Sequence, residues 1–97
     1  MAGEGSPDMP GQMVMAHVPK SAGLLALCQS ANLPELAAAA DPSSGAPTAV
    51  TMLLDDYAGR FSAVLAAAIA ANSGNPSVGL LSGVKSGFDA QAAIAAT

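Results

Sequence analysis

The sequence feature that most constrains the fold is a long periodic run at residues 48–72, TAVTMLLDDYAGRFSAVLAAAIAAN. Its large apolar residues recur at intervals of three and four, which places nearly all of them on one side of an α-helix. Gly74 and Pro76 follow the run, and they suit a helix cap and a helix stop. The spacing therefore predicts one main helix over 48–72. Its apolar stripe comprises Val50, Leu53, Leu54, Tyr57, Phe61, Val64, Leu65, Ala68 and Ile69.

The opposite side of this predicted helix carries small residues and, after Arg60, no charge. The solvent-exposed side of a helix normally carries Lys, Glu or Gln. One interpretation is therefore that this side is a second contact surface, which the backbone of another element approaches closely. The other interpretation is that alanine, the best helix former, simply tolerates water. The interface candidates on this side are Gly59, Ala63, Ala66 and Ala70.

A second long helix is predicted over about 76–96, where Gly79, Gly83 and Gly87 recur every four residues. Each glycine costs up to about 1 kcal/mol inside a helix. The row is therefore either a groove that lets another helix approach closely or evidence of a broken, irregular tail. As a groove, its partner would be the small side of 48–72, in this chain or in a copy of it.

Two short helices are predicted before the main one. Ser21 suits the N-cap of the first, and Pro34 suits the first turn of the second, which Asp41-Pro42 ends. The short connection at 73–75 places the long helices side by side. The predicted fold class is therefore all-α, with an antiparallel helical hairpin (about 48–72 and 76–96) preceded by two short helices and an extended N-terminal arm.

The predicted arm covers residues 1–20, and the small helical domain covers 21–97. Glycine and proline interrupt the arm repeatedly, yet Met9, Met13 and Met15 are apolar. Residues 12–18 suit a short strand, provided that a partner edge exists. The arm is either disordered or laid across a neighbouring subunit. We favour the second, because a solvated tail would be more polar, and we count the three methionines as interface candidates.

Charge is the main compositional anomaly. Only 10% of the 97 residues are charged, against about 25% in an ordinary globular domain. Alanine accounts for 23 residues, so large apolar side chains are few. Together these features indicate a surface that other protein covers. The formal charge of −4 and the three basic residues argue against nucleic acid and anionic lipid as partners.

The sequence offers little for catalysis or metal binding. The single cysteine, Cys28, lies in an apolar run, which favours a buried side chain over a reactive thiol. His17 has no cluster of metal-ligating residues beside it, and Asp55 and Asp56 point about 100° apart on a helix. We therefore expect no enzyme activity, no cofactor and no metal. No signal peptide or bilayer-length apolar run is visible, so we expect an intracellular protein or one within an assembled particle.

The function that these features favour is a non-catalytic structural or assembly subunit of a larger protein complex. Examples are a minor or decorating protein of a capsid-like particle, or a filament subunit; the partners are protein subunits, either copies of the chain or other chains. The alternative is a small accessory subunit of a multiprotein enzyme or membrane complex. A third class, a small enzyme or ligand carrier, would need a pocket lined by Leu and Phe of both long helices.

Overall fold

The computed structural model describes residues 12–96. In this range four helices and one two-stranded antiparallel sheet share a single hydrophobic core. The elements in chain order are β1 (Met13–His17), α1 (Ala22–Ser30), α2 (Pro34–Ala40), β2 (Ala49–Leu53), α3 (54–71) and α4 (Val78–Ala95). Helix α3 is a continuous stretch made of Leu54–Asp56, a π-helical turn at Tyr57–Phe61, and Ser62–Ala71.

The predicted all-α class is therefore wrong, because the described fold is mixed α/β. The first residues of the predicted main helix form strand β2, and the helix begins only at Leu54. Val50, Leu53, Leu54 and Tyr57 happen to fit a helical spacing, but Ala49–Leu53 also contains the strand-favouring pair Val50 and Thr51. A partner strand far away in sequence decides between the two structures.

That partner is β1, which pairs with β2 in the register Met13↔Leu53 through His17↔Ala49. The strand that the sequence predicted over 12–18 thus finds its partner edge in the same chain. Alternate residues of β1 enter the core, with Val14 1% and Ala16 3% exposed. Residues 12–18 of the predicted arm are therefore part of the packed fold.

Helix α4 lies against the buried face of the sheet and against α3. It is continuous from Val78 to Ala95, so the irregular-tail interpretation is wrong. Tyr57, near the start of α3, stacks on Phe88, near the end of α4, with ring centroids 5.0 Å apart, so the two helices run antiparallel. Phe61 meets Phe88 edge-on at 6.3 Å. The predicted hairpin thus exists, but with the sheet packed on α4.

The π-helical turn keeps the buried residues of α3 in line. Tyr57, Phe61 and Leu65 are all buried and are spaced by four, and such a row drifts by about 40° per step around an α-helix. Within the turn, the N–H of Ser62 bonds to the carbonyl of Tyr57, five residues back. This wider turn holds more residues than an α-helical turn and so offsets the drift.

Helices α1 and α2 close the core on the remaining side. The hydroxyl of Ser21 accepts a hydrogen bond from Leu24 N at 3.2 Å, which confirms the predicted N-cap. Asn32 ends α1, and it adopts a left-handed conformation with φ of 58°. The N–H of Leu33 bonds to Cys28 O and that of Asn32 to Gln29 O, the two bonds of a Schellman motif. Pro34 begins α2 as predicted.

Candidate protein interface

The sheet has one buried face and one face open to solvent. The open face, called here the outer face, consists of three cross-strand pairs. Its large apolar side chains are well exposed: 51% for Met13, 44% for Met15 and 39% for Leu53. None of the six residues is Asp, Glu, Lys or Arg. The pairs are Met13↔Leu53, Met15↔Thr51 and His17↔Ala49.

In an antiparallel sheet with one solvated face, the side chains along each strand normally alternate between apolar ones on the buried face and polar ones on the exposed face. Here both faces are mainly apolar, since Val14 and Ala16 lie on one side of β1 and Met13 and Met15 on the other. Among residues 12–96, the charged groups nearest to the two strands along the chain lie beyond the strand ends. Asp55 and Asp56 follow β2, and Lys20 follows β1, where its ammonium bonds to the carbonyls of Ser44 (3.3 Å) and Ala46 (2.9 Å). The outer face is therefore an uncharged apolar patch.

The outward edge of β2 has no hydrogen-bonding partner among residues 12–96. Val18 N donates to Thr48 O at 2.6 Å, and Leu54 N donates to Gln12 O at 2.8 Å. Because bonded and non-bonded pairs alternate in an antiparallel ladder, these two bonds fix the backbone directions. The N–H groups of Ala49, Thr51 and Leu53 point away from β1, and none of them donates a hydrogen bond within residues 12–96.

The two strands differ in how well their buried side chains are covered. Val14 and Ala16 of β1 are fully buried beneath α4. The corresponding residues of β2, Val50 and Met52, are only partly buried at the margin of the core. The β2 side of the sheet is therefore the less covered of the two.

The small-residue candidates on α3 lie on the surface. Gly59, Ala63, Ala66 and Ala70 are all exposed, and a Cβ placed on Gly59 would have no atom within 4 Å. The buried side of α3 carries Tyr57, Phe61, Leu65 and Ala68. This small side therefore makes no close helix contact within the described chain.

The glycines of α4 divide into two kinds. A Cβ at Gly79 or Gly83 would meet nothing within 4 Å, whereas one at Gly87 would lie 3.3 Å from the Cβ of Ala16. Only Gly87 thus serves a close approach, and the element that it meets is strand β1. The predicted contact between this glycine row and the small side of α3 is not formed within residues 12–96. Of the other interface candidates, Met13 and Met15 lie on the outer face, and Met9 lies outside the described residues.

One polar network joins α3 to α4. The hydroxyl of Tyr57 donates to Asp89 Oδ1, and the ammonium of Lys85 donates to Asp89 Oδ2 at 2.8 Å. The bonds from Lys85 and Tyr57 hold the pKa of Asp89 below its usual value. Burial, with the adjacent Asp89 carboxylate, raises the pKa of Tyr57, so this phenol stays protonated. This protonated phenol, hydrogen-bonded to a carboxylate that Lys85 also holds, links α3 to α4.

The single cysteine and the single histidine lie in different surroundings. Cys28 is fully buried, and its burial raises the pKa of the thiol to about 11, which keeps it protonated. His17 lies on the exposed outer face. Within residues 12–96 no three His, Cys, Asp or Glu residues are grouped as metal ligands would be.

Two surface grooves occur near the helix ends. The larger, of about 490 Å³, lies between the ends of α1 and α3. This groove is shallow, and most of the residues that line it are alanine. It differs from the predicted ligand pocket because no Phe borders it. The lining residues are Ser30, Ala31, Val64, Ala67, Ala68, Ala71 and Asn72. The smaller groove, of about 320 Å³, lies beside the turn between α1 and α2. None of the helices in the described part of the chain is long and apolar enough to cross a membrane.

The fold and its outer face therefore define a small mixed α/β domain with an apolar sheet surface. Comparison of the chain with protein-family models, with curated proteins and with solved structures finds no match.

Proposed function

We propose that this chain is a non-catalytic structural or assembly subunit of a larger protein complex, and that the outer face of its sheet docks on other protein. Examples of such a subunit are a minor or decorating protein of a capsid-like particle and a filament subunit. The observation that carries the proposal is the uncharged outer face with exposed Met13, Met15 and Leu53. Contiguous exposed apolar surface of this kind marks protein interaction sites.

The free energy gained by burying this face limits how tightly the face alone can bind a partner. Full burial of a Met or Leu side chain stabilises by about 1.5–3 kcal/mol, so covering three half-exposed side chains contributes roughly 3 kcal/mol. Association of two proteins costs an estimated 4–15 kcal/mol before any contact is counted. The outer face alone therefore does not hold a partner, and further surfaces must contribute.

The exposed small residues supply candidates for those further surfaces. Gly59 and Ala63 on α3, and Gly79 and Gly83 on α4, leave open space in which another backbone can approach closely. In an assembled particle or filament each subunit meets several neighbours, so weak contacts act together. The low charge of the whole chain, 10% of its residues, fits a surface that is largely covered in this way.

The test is purification of the full chain under mild, detergent-free conditions from the cells that make it, followed by native mass spectrometry. We expect a complex of more than one chain. Met15→Lys should remove the chain from that complex, whereas Ile94→Lys should not. Ile94 is the control, because it is an exposed apolar residue, 68% against 44% for Met15. It lies near the end of α4, far along the helix from Gly79 and Gly83.

Recovery of free single chains only, or a Met15→Lys variant that stays in the complex, would contradict the proposal. Circular dichroism of both variants checks that neither substitution unfolds the chain. A complex whose other members form an enzyme would instead favour the accessory-subunit alternative.

A further inference from the structure

We propose that β2 pairs with β2 of a second copy of this chain, antiparallel about a twofold axis at Thr51. The two sheets then join into one four-stranded sheet. This inference deepens the proposed assembly function and rests on it, since it names the first partner as the chain itself. A four-stranded sheet has a common number of strands, whereas a two-stranded sheet is at the lower end of the usual range.

The edge of β2 has the backbone groups that such pairing needs. The outward N–H groups of Ala49, Thr51 and Leu53 have no hydrogen-bond acceptor in residues 12–96. With Thr51 opposite its own copy, Leu53 lies opposite Ala49. Up to six main-chain hydrogen bonds form across the twofold axis in this register, because each of the three outward N–H groups of either copy faces an outward carbonyl of the other. The pairing is isologous, so one strand supplies both halves of the interface.

The side chains of β2 contain none of the usual barriers to pairing. Edge strands are commonly protected by charge, proline or a bulge, and Ala49–Leu53 has none of the three. No like charges would face each other across the axis, and two threonines would meet there, which is a favourable cross-strand pair.

The burial pattern favours β2 over β1 as the pairing edge. Helix α4 packs beneath β1, where Gly87 approaches Ala16 closely. A second α4 would compete for the same space if two β1 strands paired. The side chains of β2 that face the core are incompletely covered, since Val50 and Met52 are only partly buried. In the proposed register Val50 lies opposite Met52 of the second copy, so each copy extends the cover of the other.

The small size of the contact predicts a weak, reversible dimer. A five-residue strand is about 17 Å long, and interfaces well below about 800 Å² per partner are typically transient. Joining the sheets also merges the two outer faces into one broader apolar surface. The dimer would thus present to the rest of the assembly a larger face than either copy has alone.

The test is sedimentation velocity on the purified full chain from about 10 µM to about 1 mM, a range that covers weak association. We expect a monomer–dimer equilibrium for the wild type. Thr51→Lys places two ammonium groups opposite each other at the axis and should weaken the dimer at least about tenfold. Thr51→Pro removes only an outward N–H, which edge strands tolerate, and should weaken it similarly.

Met15→Lys is the matched control. It adds the same charge to the same face, but the two ammonium groups would lie about three strand spacings, or roughly 14 Å, apart, where salt screens them. Its dimer constant should change by less than about twofold. A wild type that stays monomeric throughout, or a dimer that survives both Thr51 variants, would overturn the inference. Neither result touches the proposed function, which is tested by the loss of Met15→Lys from the native complex.

Discussion

The phenol of Tyr57 and the carboxylate of Asp89 link the start of α3 to the end of α4. Tyr57 donates to Asp89 Oδ1 while its ring stacks on Phe88, and Lys85 holds the other carboxylate oxygen at 2.8 Å. Tyr57 also opens the π-helical turn. The hydrogen bond thus fixes the register of α3 at the point where its winding changes.

Asp89→Asn should flatten the acid side of the stability profile. The bonds from Lys85 and Tyr57 lower the pKa of Asp89 in the folded chain. Its carboxylate therefore stabilises the fold above the unfolded pKa of about 3.9, and this contribution is lost as the pH falls through the lower folded pKa. Urea unfolding from about pH 2 to pH 6 measures it. Because the carboxylate is largely exposed, the effect should be small.

Tyr57→Phe is the companion variant, since it keeps the stacked ring and leaves Lys85 as a partner for Asp89. It should retain part of the acid dependence. A constant difference in unfolding free energy between wild type and Asp89→Asn across this pH range would contradict the proposed linkage.

Phe61→Ala should destabilise the fold by about 3–5 kcal/mol, the usual cost of truncating a buried phenylalanine. Phe61 is 6% exposed and packs edge-on to Phe88. Val64→Ala, three residues later and 36% exposed, should cost under about 1 kcal/mol. Equilibrium urea unfolding compares the two variants. Similar losses in both would mean that the buried side of α3 is misassigned.

Val14→Ser and Met15→Ser test the two faces of β1 with adjacent positions. Val14 is 1% exposed and Met15 is 44% exposed, so only the first substitution leaves a polar group and a cavity in the core. We expect a loss of about 2–3 kcal/mol for Val14→Ser and under about 0.5 kcal/mol for Met15→Ser. Thermal unfolding by circular dichroism measures both. The reverse order would invert the assignment of inner and outer face.

Gly83→Ala and Gly87→Ala separate an open glycine from a packed one. Alanine at Gly83 meets nothing within 4 Å, so the gain in helix propensity should stabilise α4 by about 0.5–1 kcal/mol. At Gly87 the new Cβ would lie 3.3 Å from Ala16, and the strand must shift slightly, which offsets the gain. Chemical denaturation should therefore rank Gly83→Ala above Gly87→Ala. Equal stabilisation would show that α4 and β1 do not pack closely.

Local signals in the sequence predicted the helical parts of this fold. Ser21 caps α1 and Pro34 begins α2, because both effects act within one helical turn. The long helices also follow from periodicity, and Tyr57, Phe61 and Leu65 are buried as their spacing predicted. These features depend only on near neighbours in the chain, which a sequence displays directly.

The sheet escaped prediction because it is a long-range structure. Residues 49–53 fit a helical stripe as well as a strand, and only the distant segment Met13–His17 selects the strand. The same error hid Leu53 and Thr51 from the list of surface candidates, although Met13 and Met15 were on it. The Tyr57–Asp89 bond was equally invisible, since it joins residues in separate helices. Whether the predicted candidates form an interface remains a prediction.

The wide separation of the two paired strands shapes how the chain is made. Met15 and Thr51 are partners about 36 residues apart, and ribosomes add about 5–20 residues per second. For roughly 2 to 7 s after β1 is synthesised, its complementary strand does not yet exist. During that interval Val14 and the methionines beside it have no strand with which to pair. The pairing of Met13–His17 is thus a late step in the making of this protein.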